Sequence, residues 1–170
     1  MQDMTTNTAP PSTAATEQHA TTTSVPVNKL ARYSFLWSEV RLIIAAVALF
    51  LGGVPPVLAF NPFAVLFGLL SQLLILAWMV SGVAAGYLIY CWFRANKTVF
   101  GDTEPKDITA FFVLIVSGLN LGFAGFSTIN IGLSVTKAQP VLLIVGLLYL
   151  ATATYLFARW KKNKENLFPQ

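Results

Sequence analysis

The chain has 170 residues, 55% of them hydrophobic and only 11% charged, and a formal net charge of +4. A soluble domain carries about a quarter charged residues, so this composition excludes water as the solvent around most of the surface. One cysteine (Cys91) and one histidine (His19, in a polar tail) exclude an internal disulfide, and they leave no Cys/His zinc or copper site and no histidine-held haem in the apolar region.

Residues 1–28 are rich in Thr, Ala and Pro and have nothing to build a core, so they read as a disordered polar tail. No basic start precedes an apolar run there, so the tail does not read as a secretory signal peptide. Residues 29–41 form an amphipathic juxtamembrane segment. Leu30, Tyr33, Trp37 and Val40 share one helical stripe, with Arg32 and Glu39 opposite. The segment either lies on the membrane surface or extends the first membrane helix inward; the sequence leaves both open.

A transmembrane domain over 42–160 follows, with four apolar stretches at 42–60, 63–93, 108–136 and 138–158. A span needs about 20 residues, so each is long enough, and the second and third are long enough to tilt or project. Gly52, Gly53, Pro55 and Pro56 are expected to kink or unwind the end of the first. Asn61-Pro62 marks a tight turn, and Pro140 suits the first turn of the last helix. The loop at 94–107 carries Gly101, Asp102, Glu104, Pro105 and Asp107; its acids suit a solvated cap on the following helix better than a magnesium site. Residues 161–170 are a basic C-terminal tail. Its closing stretch, Glu165 to Gln170, resembles a reordered protease-tag remnant and is set outside the fold.

The expected fold is all-α: an integral membrane bundle of four transmembrane helices. Ten of the 11 Lys and Arg residues fall on one side of such a bundle, with Lys137 alone opposite, which places both termini and the middle loop in the cytoplasm. Trp37, Trp92 and Trp160 sit at the same edge. At one constant offset along the chain, Tyr87-Leu88 matches Tyr155-Leu156, Trp92 matches Trp160, Arg94 matches Lys162 and Phe100 matches Phe168. Two repeated hairpins account for this, and so does the clustering of aromatic and basic residues at any cytoplasmic helix end.

None of the four stretches contains Asp, Glu, Lys, Arg or His, which argues against a proton pump or an ion-coupled carrier. In the third stretch Gly118, Gly122, Gly125 and Gly132 form a face suited to helix packing. Asn120, Ser127, Asn130 and Ser134 lie nearly opposite and, with Gln72, either line a polar path or hydrogen-bond between helices. Tyr149, Thr152 and Tyr155 share a face and read as core. Cys91 reads as an apolar filler rather than a palmitoylation site. Arg94, Lys97, Arg159, Lys161 and Lys162 emerge beside Trp92 and Trp160; they either only set the orientation, the reading the sequence favours, or also hold anionic lipid or a lipid-linked phosphate. No nucleophile–base pair or nucleotide fingerprint is present, so no enzyme, cofactor or metal site is expected, and no nucleic-acid partner.

The run Tyr87-Leu88 through Trp92-Phe93-Arg94-Ala95-Asn96-Lys97-Thr98-Val99-Phe100, its counterpart Tyr155-Leu156-Phe157-Ala158-Arg159-Trp160, and the segment Phe111–Asn120 resemble the GtrA-like family of small four-helix membrane proteins. The resemblance implies two hairpins and the handling of polyprenyl-phosphate-linked sugars at the inner leaflet. Three functions are therefore expected, in descending order. The first is a non-enzymatic subunit or scaffold of a plasma-membrane assembly, working with other membrane subunits or as a homo-oligomer. The second is translocation of a lipid-linked polar group, and the third is an oligomeric pore.

Overall fold

A computed structural model describes residues 25–168. Residues 1–24 of the expected tail, with His19, and the final two residues lie outside that range. The chain forms α1 (Val25–Phe50), α2 (Pro56–Ala59), a 3-10 turn (Ala64–Leu66), α3 (Phe67–Arg94), α4 (Pro105–Ser127), α5 (Ile131–Val135) and α6 (Gln139–Lys162). Four of these helices are long and apolar enough to cross a membrane: Lys29–Phe50, Phe67–Arg94, Pro105–Ser127 and Gln139–Lys162. The protein is thus a multi-pass membrane protein of all-α class. Its backbone polar groups are satisfied within helices because hydrocarbon offers them no partner.

The first helix differs from the expected span of 42–60. It begins before the juxtamembrane segment and runs through it without a break. It stops at Phe50 because Gly52 and Gly53 take φ of +75° and +89°. Gly53 N–H donates to Ala48 O at 2.8 Å and Gly52 N–H to Leu49 O at 3.1 Å, a Schellman closure that glycine accommodates without strain. Pro56 then opens α2. The stripe of Leu30, Tyr33, Trp37 and Val40 faces outward, whereas Ser34, Ser38, Glu39 and Arg41 are buried. The segment is therefore a bundle helix whose apolar side meets lipid.

The third stretch, expected over 108–136, is divided. α4 ends at Ser127, with Thr128 at φ 62°, and Asn130 starts α5 by accepting the Leu133 N–H through its side chain. At the turn after α2, the Asn61 side chain closes on the Phe63 backbone at 2.9 and 3.1 Å.

In the bundle, α3 packs most closely on α4 and α1 on α6, with lighter α1–α3 and α4–α6 contacts. Each half is thus a helix, a short helix and a second long helix, and the two halves meet through equivalent faces. The α3–α4 seam is set by glycine: a Cβ on Gly82 would stand 2.7 Å from Gly122 Cα. Gly118 lies against Ala85 and Gly125 against Met79, so three of the four expected packing glycines lie in this seam. Gly132 does not; it sits beside Asn130 and Asn120 in α5. On the α1–α6 side Gly146 receives the Phe50 ring.

The halves also end alike. Lys97 N–H donates to Trp92 O at 2.9 Å, and at the matching place in the second half Glu165 N–H donates to Trp160 O at 2.9 Å. Asn96 and Lys97 have φ of 52° and 62°; Lys164 and Glu165 have 53° and 64°. Interfacial aromatics alone do not dictate two successive left-handed residues. The correspondence therefore extends from side-chain types to backbone geometry.

The core gathers at this basic end, around Phe35, Leu42, Leu88, Phe111, Leu114, Leu156 and Trp160. The final segment, set outside the fold by sequence, belongs to it. Phe100 N–H donates to Leu167 O at 2.7 Å, Leu167 is buried, and Phe168 meets Phe111 edge-on. The 94–107 loop offers that amide because Val99 and Asp102 bond each other across a tight turn at Phe100-Gly101, both with positive φ.

Candidate functional site

The middle and far end of the bundle are hollow. A cavity of about 250 Å³ lies between α1, α3, α4 and α6 and is lined mostly by apolar side chains such as Ile44, Leu74, Trp78 and Val145. A water occupies roughly 30 Å³ in the liquid, so the space holds a group much larger than one solvent molecule. The cavity is not sealed along α1, where the lining residues Trp37, Val40 and Ile44 are exposed.

Its polar groups form two clusters. At the level nearer the basic end, Arg41 is 6% exposed and reaches across the bundle. Nη1 donates to Ser117 Oγ at 2.9 Å and Nη2 to Leu114 O at 2.8 Å. Gly118 makes room for it, since a Cβ there would stand 3.3 Å from Nη2. Trp37 Nε1 donates to Ser81 Oγ at 3.1 Å beside it, and Tyr149 completes the wall. Arg41 Nε, Glu39 Oε1 and Ser38 Oγ are buried without a hydrogen-bond partner among the described residues. Among the described residues Arg41 forms no ion pair.

At the far end Asn120 Nδ2 donates to Asn130 Oδ1 at 2.9 Å, and Asn120 Oδ1 accepts the Gly132 N–H at 3.2 Å. These amides tie α4 to α5 and line the cavity roof, so interhelical bonding and cavity lining are the same contact here. Ser127 and Ser134 bond back to their own backbone, on Phe123 O and Asn130 O. Gln72 lies on an exposed face of α3, away from both amides.

The sequence reading of an apolar region free of ionisable groups is therefore corrected. Glu39 and Arg41 precede the uncharged run and read as juxtamembrane in the sequence, but the continuous helix carries them into the bundle. The available signal was that the 3.6-residue pattern passes unbroken from residue 30 into the first apolar stretch.

The basic rim is also regrouped. Arg159 is not presented to lipid: its Nε lies 2.9 and 3.1 Å from the two Asp107 oxygens, its Nη2 bonds Asp107 as well, and Nη2 reaches Glu104 at 3.3 Å. Tyr155 OH donates to Asp107 Oδ1 at 2.7 Å, and the Asp107 side chain is wholly buried. Tyr155, expected as packing, and Asp107, expected as a solvated cap, are thus parts of a closed ion-pair cluster. Lys161 pairs with Glu165 at 2.7 Å, and Arg32 reaches the same carboxylate from α1. Arg94, Lys97 and Lys162 remain exposed. Cys91 is buried. Asp102 is exposed and accepts the Thr103 N–H, and among the described residues no three Asp, Glu, Cys or His side chains converge on a metal position.

Fold and site together define a polytopic helical membrane protein with an internal, largely apolar cavity and a buried arginine. The chain matches no protein-family model, no curated protein and no solved structure.

Proposed function

We propose that the protein is a non-enzymatic carrier that moves a lipid-linked polar group across the bilayer. The observation that carries this reading is the cavity at membrane depth, apolar on its walls and polar at two levels, open along α1. Such a space shelters a polar group from hydrocarbon while its lipid chain stays in the bilayer. The resemblance to the GtrA-like family points the same way, with a polyprenyl-phosphate-linked sugar as cargo. The positive-inside bias supports a reading in which the basic end faces the cytoplasm from a cell membrane and Arg94, Lys97 and Lys162 attract anionic lipid.

The subunit or scaffold reading rests on missing ionisable and catalytic groups and on glycine faces suited to helix association. Gly118, Gly122 and Gly125 pack within the chain, and Glu39 and Arg41 are buried. An oligomeric pore draws no support from a cavity formed within one chain and open to its side. The test is reconstitution into liposomes with a fluorescent short-chain polyprenyl-phosphate sugar and a membrane-impermeant quencher. Accessibility of the inner-leaflet label should rise well above that in protein-free liposomes, and Asn120→Leu should slow the exchange. Exchange no faster than in empty liposomes rejects the carrier reading.

A further inference from the structure

Arg41 has features that a packing role does not absorb. Among the described residues, only two of the five N–H donors that a guanidinium carries are used, both by neutral oxygens. Its Nε has no partner, and no carboxylate pairs with it among the described residues. Glu39 stands two residues away on the same helix and is also buried. A cation in low-dielectric surroundings with unused donors is costly unless an anion shares the site. The protein's other inward-turned arginine obeys that rule, since Arg159 is ion-paired with the buried Asp107 and with Glu104. Arg41 differs in facing a cavity, and Ser117, Leu114 O and the bare Gly118 backbone hold its plane in place.

We infer that the Arg41 guanidinium is the binding site for an oxyanion, a phosphate or carboxylate attached to an apolar chain. The remaining donors of Arg41 are the fork for the two oxygens. Ser117 and Tyr149 supply hydroxyls around the head, and Ile44, Leu74 and Trp78 take the first part of the chain. The inference deepens the proposed function and rests on it for the passage of the ligand, though not for its binding.

The test uses the full chain in a neutral maltoside detergent, titrated calorimetrically with octyl phosphate and, separately, with inorganic phosphate. Octyl phosphate should bind, and Arg41→Gln should weaken it by at least about tenfold. Ala77→Phe, which fills the cavity and leaves the charge in place, should do the same, so the outcome does not depend on Arg41→Gln alone. Lys106→Gln, at an exposed site in the first turn of α4, should bind like the wild type. Inorganic phosphate binding as tightly as the alkyl ester identifies a free anion as the source; binding of the ester alone identifies a lipid headgroup. The inference is overturned if neither probe binds the folded wild type, if folded Arg41→Gln binds like the wild type, or if Lys106→Gln weakens binding as much as Arg41→Gln; equal binding of inorganic phosphate and the ester overturns the apolar chain and leaves the anion site. Liposome exchange on the same proteins separates the two claims: a wild type that binds octyl phosphate but exchanges no labelled lipid retains the site and loses the carrier function.

Discussion

The two halves of the bundle place an acid at equivalent positions, Glu39 on α1 and Asp107 on α4, and they treat it in opposite ways. Asp107 meets Tyr155 and Arg159 and is closed off. In the first half Tyr87 matches Tyr155, but Cys91 stands where the second half has Arg159. The first half's cation is instead Arg41, two residues from Glu39, and it turns across the bundle into the cavity. Equivalent frames have thus produced a saturated charge cluster on one side and an unsaturated one on the other. The saturated cluster fastens α4 to α6 at the basic end, and the unsaturated one faces the cavity.

The largest expected effect breaks the saturated half. Arg159→Met leaves a wholly buried carboxylate without its cation and should cost about 3–5 kcal/mol in reversible unfolding from mixed micelles. Arg41→Met removes a cation held only by neutral acceptors, and should cost about 1–2 kcal/mol in the same measurement. Equal losses for the two would end the distinction between the halves.

The seams differ in the same sense. Gly122→Ala drives a Cβ into the Gly82 backbone, which cannot yield without parting α3 from α4, and about 1–3 kcal/mol is expected. Gly146→Ala meets only the Phe50 ring, with its nearest carbon at 2.7 Å, and a side chain can turn aside. Thermal melts of the two variants should rank Gly122→Ala below Gly146→Ala; the reverse order would mean that the α1–α6 seam is the stiffer one.

A step smaller than Arg159→Met trims the paired cluster itself. Tyr155→Phe removes one hydrogen bond to a charged acceptor and should cost about 1.5–3 kcal/mol, less than Arg159→Met. A double-mutant cycle between the two positions should show coupling, because they share one carboxylate.

The smallest effect lies outside the spans. The Lys161 hydrogen bond, with Arg32 beside it, holds the Glu165 carboxyl below its ordinary range. A depressed folded-state pKa contributes stability above the unfolded value, near 4.5, and that contribution is lost as pH falls through the folded value. Hydrogen exchange at the Phe100 amide, bonded to Leu167 O, should therefore quicken under acid, and Glu165→Gln should remove that pH step. An unchanged exchange profile would show that the tail is held by Leu167 and Phe168 alone.

Four spans, their polar breaks, the one-sided basic rim and the small-residue seam of the third helix were legible in the sequence, because hydrocarbon demands long uncharged helices whatever they pack against. The internal correspondence between the halves was legible as residue types, and the matching helix ends followed only with the backbone. The tertiary structure alone decided which side of each helix faces inward. In a bilayer an apolar side chain rests as well against lipid as against a neighbour, so the stripe of Leu30, Tyr33, Trp37 and Val40 carries no sign of its direction. That direction turned Glu39 and Arg41 from surface charges into buried ones, and brought Asn120 to Asn130 and Asp107 to Arg159. Residues far apart in the chain meet only when helices pack, and hydropathy along one chain does not contain that packing.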